Sequence, residues 1–391
     1  MTNNFQNTAP NIPHGDLNLM PLRGTYAFTE KINNYIKGFR EERLKNNNYG
    51  FIAHDYIKDS YINEPILSRF SSGEGKATLK KTVRGADMFI IVDVVNHNET
   101  YKMFENENHY SPDDHYQDLK RVIAAANGKA KRINVIMPFM YESRQHKRNS
   151  RESLDCAMML KELQWMGMSN FITVDAHDPR IMNAIPLSSF DTINCNYQFI
   201  NALLNEVDDL EIDSSKLMMI SPDSGAMTRT IYYANVLGID LGMFYKRRDY
   251  TKVVDGKNPI LSHEFLGNNV EGKDVIIVDD MIASGDSLFD TARELKKRKA
   301  RRIYACCTFC LFTAGLQNFD KAHSEGLIEK IFTTNCIYQS PELLTKDWYV
   351  SVDVAEYLAR IIDSINHDGS ISSYLDPSEK IHQCVNLYKN R

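Results

Sequence analysis

The chain has 391 residues, 43% of them hydrophobic and 25% charged, the make-up of an ordinary globular protein with length enough for two cored domains. A formal net charge of −5 excludes a general attraction to nucleic acid or to an anionic membrane, so any anion site has to be local. No apolar run approaches the roughly 20 residues of a membrane span. The opening MTNNFQNTAPNIPHGDLN lacks the basic start and apolar core of a signal peptide. Seven cysteines, odd in number and scattered, fit reduced thiols in a cytoplasm. Cys307 and Cys310 make one CxxC within an apolar run; with no second pair nearby they are expected to be core, not a zinc site.

In chain order, residues 1–22 are polar and rich in Asn and Pro, as expected of a disordered lead-in. Tyr26–Leu44 has a charged helical pattern that ends at the Asn-rich break Asn46–Asn48. Beyond residue 50, strands are predicted over Met88–Val95, Asn134–Pro138, Phe171–Val174, Leu217–Ser221, Leu241–Tyr245, Val275–Val278 and Arg302–Thr308. Helices are predicted between them over Asp113–Asn127, Ser153–Trp165, Ala226–Leu237 and Ser287–Lys299, and again over Val352–Ser364. Strands separated by single helices make βαβ units and parallel sheets. The strands outnumber one small sheet, so the expected fold class is α/β with two lobes dividing near residue 190. The organisation predicted is an extension over 1–48, a first lobe over 49–190, a second over 191–350, and a helix and tail over 351–391 packing back on the first lobe.

The stretch Asp274–Leu288, DVIIVDDMIASGDSL, carries the most chemistry. Val275–Val278 reads as a buried parallel strand running into Asp279 and Asp280; a tight turn and a helical pattern from about Leu288 follow. In open α/β sheets ligands sit beyond the carboxyl ends of strands, where backbone N–H groups and helix N-termini hold anions. Two carboxylates cannot hold a phosphate. They suit ribose hydroxyls or a divalent metal, while the loop Ala283, Ser284, Gly285, Asp286 and Ser287 cradles the phosphate. This is the layout of a phosphorylated-sugar site, and it resembles the 5-phosphoribosyl-diphosphate loop of type I phosphoribosyltransferases.

Four further segments bear on function. Tyr141–Ser153, YESRQHKRNSRES, sets Arg144, Lys147, Arg148 and Arg151 after a strand, with Gln145 and His146 among them; such cations suit polyphosphate, and a solvated basic turn is the alternative. FITVDAHD ends a strand in Asp175 and His177, a pair able to ligate metal or to serve as cap and core. In SPDSG, Asp223 is either a helix cap or a metal or nucleobase contact. YKRR places Lys246, Arg247 and Arg248 after a strand, and alternation sets Lys246 and Arg248 on one side, where they would neutralise a transferring phosphoryl group. The basic run Arg293–Arg302 sits where a helix ends and cations complement the dipole, which reads as a solvated helix end and not as a nucleic-acid surface.

In this order, with SRFSSGE at Ser68–Glu74, the segments resemble the ribose-phosphate diphosphokinase family from about Ser68 to about Leu375. The resemblance implies two tandem type I phosphoribosyltransferase-like lobes with mainly parallel sheets, assembled as a homo-oligomer, in this family a hexamer. It implies transfer of the diphosphoryl group of Mg²⁺-bound ATP to the anomeric hydroxyl of ribose 5-phosphate, in the cytoplasm. Carried over by position, Lys246 and Arg248 are the catalytic cations. Asp279, Asp280 and the loop 283–287 take ribose 5-phosphate, and Arg144, Gln145 and His146 take ATP. Phe70, Ser72 and Glu74 reach the adenine of a neighbouring subunit, and His177, Asp223 and Asp175 sit at metal positions.

The chain departs from the family pattern at several of these positions. Ala283 replaces an acid of the loop, as alanine does in adenine phosphoribosyltransferases. Ser72 replaces an aspartate that meets adenine, His146 replaces the aspartate after Arg-Gln, and a double glycine has become Gly225-Ala226. These departures motivate an alternative expectation, a non-catalytic regulatory subunit that binds nucleotide or sugar phosphate.

Overall fold

The computed structural model describes residues 12–46, 56–248 and 260–390, without the side chains of residues 46, 246–248 and 260–263. Along the chain run β1 (Asp16–Pro21), α1 (Tyr26–Asn46), the hairpin β2 (Ile66–Arg69) and β3 (Gly75–Thr78), and β4 (Ala86–Ile91). A second hairpin, β5 (Thr100–Met103) and β6 (Asn106–His109), precedes α2 (Pro112–Ala126), β7 (Arg132–Ile136), α3 (Asp155–Trp165), β8 (Asn170–Val174) and β9 (Ser189–Ile193). Next come α4 (Asn196–Glu206), β10 (Leu217–Ser221), α5 (Met227–Leu237), β11 (Asp240–Arg248), β12 (Ile260–Leu266), β13 (Asp274–Ile282) and α6 (Asp286–Lys297). The chain continues through β14 (Ile303–Cys310), α7 (Gln317–Ser324), β15 (Lys330–Thr334), β16 (Tyr349–Val352), α8 (Ala355–Asn366), α9 (Ser372–Leu375) and α10 (Ser378–Lys389).

Two compact units divide the chain. The first takes in the described residues up to Asn194 with Asn335–Tyr338 and Asp353–Asp376; the second holds Cys195–Thr334, Gln339–Val352 and the residues from Pro377. The first unit is built on a parallel five-stranded sheet, β1-β4-β7-β8-β9. Its β4 reads ADMFII and is buried at every position, as a strand covered on both faces requires. The second unit has seven strands, β12-β11-β10-β13-β14-β15-β16, all parallel except the edge strand β12. The α/β class with mainly parallel sheets is therefore borne out.

Three expectations need correction. Residues 12–22 are not a disordered lead-in: Asp16–Pro21 pairs with β4 from Asp16↔Ala86 to Pro21↔Ile91, burying Leu17, Leu19 and Met20. Residues 1–11 lie outside the described residues. The tail does not pack as one piece on the first unit. Asp353–Asp376 belongs there, but α10 lies on α4 and α5 of the second, where the Tyr388 hydroxyl donates to the Val207 carbonyl at 2.6 Å. The basic run after α6 is more than a solvated end, because Arg301 and Arg302 both grip Asp274, 1% exposed at the start of β13. The seven cysteines are free, and Cys307 and Cys310 are core.

Candidate active site

In the second unit β13 outruns one of its neighbours. Its pairing with β10 ends at Ile220↔Ile277, after which the chain turns away through Pro222 and Asp223, while pairing with β14 continues to Ile282↔Cys310. Asp279 and Asp280 thus lie inside the strand and not beyond an end at Val278, on a stretch with a ladder partner on one side only.

Neighbouring strand residues face opposite ways, and the two acids meet different surroundings. Asp280 is 4% exposed, with Oδ2 3.9 Å from a guanidinium nitrogen of Arg229 on α5. Asp279 is half-buried and accepts the Asp280 backbone N–H at 2.9 Å. Burial of its carboxyl, the adjoining Asp280 carboxylate and Asp223 further out push its pKa well up. Among the described residues no cation pairs with this carboxylate, a condition that a sugar hydroxyl or a hydrated cation relieves.

The loop behind it is fixed from below. Leu311 N–H donates to the Ile282 carbonyl at 2.8 Å, and Thr313 N–H to that of Ala283 at 3.0 Å. Gly285 has φ 94°, and a Cβ there would lie 2.5 Å from Phe319 Cζ, so conformation and packing both demand glycine. Asp286 and Ser287 are exposed and open α6, whose first-turn N–H groups have no partner within the helix. The Ser284 hydroxyl donates to the Asp286 carboxylate at 2.9 Å, so one negative charge already stands at this helix end.

Asp223 is not the N-cap of α5, a position held by Ala226; it lies in the turn before the helix, where its Oδ1 accepts the N–H groups of Gly225 at 2.7 Å and Ala226 at 3.2 Å. Lys246 and Arg248 lie on β11 itself, which runs past Tyr245 and pairs antiparallel with β12. Their side chains are outside the described residues.

In the first unit the loop Tyr141–Ser153 follows β7 and leads into α3. Gln145 closes it, its Nε2 donating to the Ser153 carbonyl at 2.8 Å. The Arg144 side chain is exposed and makes no hydrogen bond or ion pair among the described residues. His146 is more engaged than a free ATP contact: Nδ1 is 3.1 Å from the Ser143 carbonyl, Nε2 is 3.3 Å from Asp178, and burial lowers its pKa. Its ring meets that of His177 edge-on at 5.3 Å between centroids. Asp175, 8% exposed, takes a left-handed turn (φ 44°) where β8 ends. Asp178 caps the short 3-10 turn Pro179–Ala184, and the Arg180 guanidinium beside it holds its carboxyl down at about 2.

Phe70, Ser72 and Glu74 occupy the turn between β2 and β3. Phe70 is 56% exposed, and the Ser72 hydroxyl donates to Glu74 at 2.7 Å. Arg69 anchors the turn. Its side chain is 6% exposed, 3.4 Å from Asp118 and 3.5 Å from Asp114. Arg229, Asp178 and Arg69 escape sequence reasoning. The only local signals are the Asp-Pro step at 178 and the position of Arg229 in the first turn of a helix that follows SPDSG.

No three His, Cys, Asp or Glu side chains among the described residues gather as a metal cage. A hydrated Mg²⁺ needs only one or two carboxylates, since water and phosphate supply its other ligands. The oxygen-only pair Asp279 and Asp280, with the Asp279 pKa raised by burial and by its acidic neighbours, fits such an ion.

Two family models match the chain. That for the N-terminal domain of ribose phosphate pyrophosphokinase covers residues 19–167, and that for the phosphoribosyl transferase domain covers 190–357. A ribose-phosphate pyrophosphokinase of Vibrio parahaemolyticus is 27% identical over 316 residues, 80% of this chain and 91% of the relative. Ribose-phosphate pyrophosphokinase 1 of Listeria monocytogenes is 27% identical over 318 residues, 81% of this chain and 90% of the relative. The crystal structure of phosphoribosylpyrophosphate synthetase from Mycobacterium smegmatis shares the fold at TM-score 0.70 and 19% identity, covering 90% of this chain and 100% of that one.

Proposed function

The chain belongs to the ribose-phosphate pyrophosphokinase family, and on that premise we propose that it transfers the diphosphoryl group of ATP to the anomeric hydroxyl of ribose 5-phosphate. The products are 5-phosphoribosyl 1-diphosphate and AMP, used in nucleotide biosynthesis in the cytoplasm. The observation that carries this reading is the end of β13, where the adjacent carboxylates Asp279, its proton affinity raised, and Asp280, beside Arg229, precede a glycine-capped loop and helix start.

Little covalent chemistry is asked of the protein. The work is to align the anomeric oxygen with the β-phosphorus and to screen charge. Asp279 and Asp280 orient the ribose hydroxyls, and the N–H groups of 283–287 take the 5-phosphate. Arg144 and Gln145 hold the donor's phosphates, with His146 beside them, while Phe70 and Glu74 receive the adenine next to Ser72. Lys246 and Arg248 neutralise charge on the transferring group. Mg²⁺ bound to ATP would withdraw charge from the phosphates. Asp279 and Asp280 would share it on the sugar side, with Asp175, His177 and Asp223 as the further metal positions. The working form is a homo-oligomer, a hexamer as in the family.

The test is formation of AMP and 5-phosphoribosyl 1-diphosphate by purified protein with ATP, ribose 5-phosphate and Mg²⁺. Equal amounts of both products are expected, and none without the sugar phosphate. Nucleotide binding with no turnover at any Mg²⁺ or Mn²⁺ level would instead make the chain a regulatory subunit.

A further inference from the structure

The hairpin β5–β6 leans on the turn that carries Phe70. Its tip, Phe104 and Glu105, has both residues in the left-handed region, at φ 47° and 65°. Tight hairpins normally place Asn-Gly or Asp-Gly there, since other side chains are strained in that conformation. The strain is held by the neighbouring hairpin. The Phe104 N–H donates to the Ser71 carbonyl at 3.0 Å, and the Met103 side chain fills the space beside Gly73, with Sδ 2.6 Å from where a Cβ would stand. Arg69 ties the two pieces together, its guanidinium stacked on Tyr101 of β5 (5.0 Å) and on Tyr110 just after β6 (4.9 Å). It also donates to the Tyr110 hydroxyl at 3.1 Å.

This scaffold presents a large aromatic ring to solvent. Phe104 is 72% exposed, beside the turn whose Phe70 is 56% exposed. Strain maintained for the display of an apolar ring marks a contact surface. The turn that carries Phe70 also holds the exposed Ser72 hydroxyl and Glu74 carboxylate, acceptors for an amino group. Two rings and a carboxylate suit a flat, amino-bearing heterocycle, since base–aromatic stacking is tolerant of approach and an exocyclic amine donates to the acid.

We propose that Phe104 stacks on the adenine of the diphosphoryl donor, as a second aromatic contact beside Phe70. The proposal rests on the reading of ATP as donor. It is tested with full-length protein by ATP binding calorimetry and by initial rates, comparing Phe104→Ala and Phe104→Tyr with the unaltered chain. Phe104→Ala should weaken ATP binding and raise the KM for ATP on the order of tenfold, leaving the KM for ribose 5-phosphate unmoved, and Phe104→Tyr should restore ATP affinity. Unchanged ATP affinity in Phe104→Ala would overturn it. So would a loss of affinity that follows a change in sedimentation, which would make Phe104 a subunit contact. If the unaltered chain binds ATP but makes no product, the diphosphokinase reading fails, and the calorimetry still decides the role of Phe104.

Discussion

Asp279 and Asp280 are adjacent carboxylates with unequal company. Asp280 has the Arg229 guanidinium nearby, while Asp279 has burial and two other acids, which raise its affinity for a proton. A folded-state pKa above the unfolded one means the fold holds a proton more tightly than the unfolded chain. Stability at this site is therefore full at low pH and falls as pH rises through the raised value. Asp279→Asn should raise Tm at pH 7.5 in metal-free buffer, with the gain vanishing toward pH 4. An equal or lower Tm at pH 7.5 would refute the unneutralised charge. Asp286 adds a negative charge where a phosphate is to bind, so Asp286→Gly should lower the KM for ribose 5-phosphate severalfold, by roughly the 0.3–1 kcal/mol of a charge at a helix end. A raised KM would show that the acid helps. Lys246→Ala should cut kcat by about 10²–10³-fold, the usual cost of one charge-stabilising donor, with unchanged circular dichroism. Turnover near normal would remove Lys246 from the chemistry.

Helices α1 and α8 of the first unit are joined by a buried charge network. Asp363 accepts from Arg40 at 2.9 Å and Arg43 at 2.6 Å, and the Arg40 side chain is 2% exposed. Burial alone would raise the Asp363 pKa, but the two guanidiniums prevail and hold it below the ordinary carboxylate range. Arg40 also donates to Asn366 at 2.6 Å and stacks on Tyr56 and Tyr61. Removing the acid leaves a cation with no counter-charge in the core. Asp363→Ala should lose about 3–5 kcal/mol in urea unfolding. A loss under 1 kcal/mol would mean that Asn366 and the rings suffice. The alternation of apolar runs and helices along the sequence made these elements readable, but nothing local to α1 pairs Arg40 with a residue more than 300 positions away.

A single chain leaves apolar surface without cover. On α3, Trp165 is 88% and Met158 62% exposed, one face seven residues apart; in the following segment Leu187 is 95% and Met182 47% exposed. The Gln164 side chain reaches Ser188 at 2.7 Å, so these side chains share one region. Exposed patches of this kind mark interfaces. Sedimentation should give a mass several times the 44.9 kDa chain, reduced by Trp165→Glu with Leu187→Glu. A 44.9 kDa monomer at assay concentration would contradict an oligomer built on this face.

Much of the fold could be read from residues in order. Strands buried on both faces appear as uninterrupted apolar runs, so Leu217–Ser221 is predicted with its observed bounds and the DVIIVDDMIASGDSL segment declares strand, acids, turn and helix. Local pattern failed where burial was partial or the partner distant. β1 is short and flanked by polar residues, and becomes a strand because β4 offers it a ladder. The acids read as a strand's end prove to be within it, because β14 continues where β10 departs. Residue order thus specifies which groups can hold a sugar phosphate, through side-chain chemistry and backbone period. Only tertiary contacts decide which carboxylate has the Arg229 guanidinium beside it and which histidine is already engaged, because the charge and solvent around a group come from residues far along the chain.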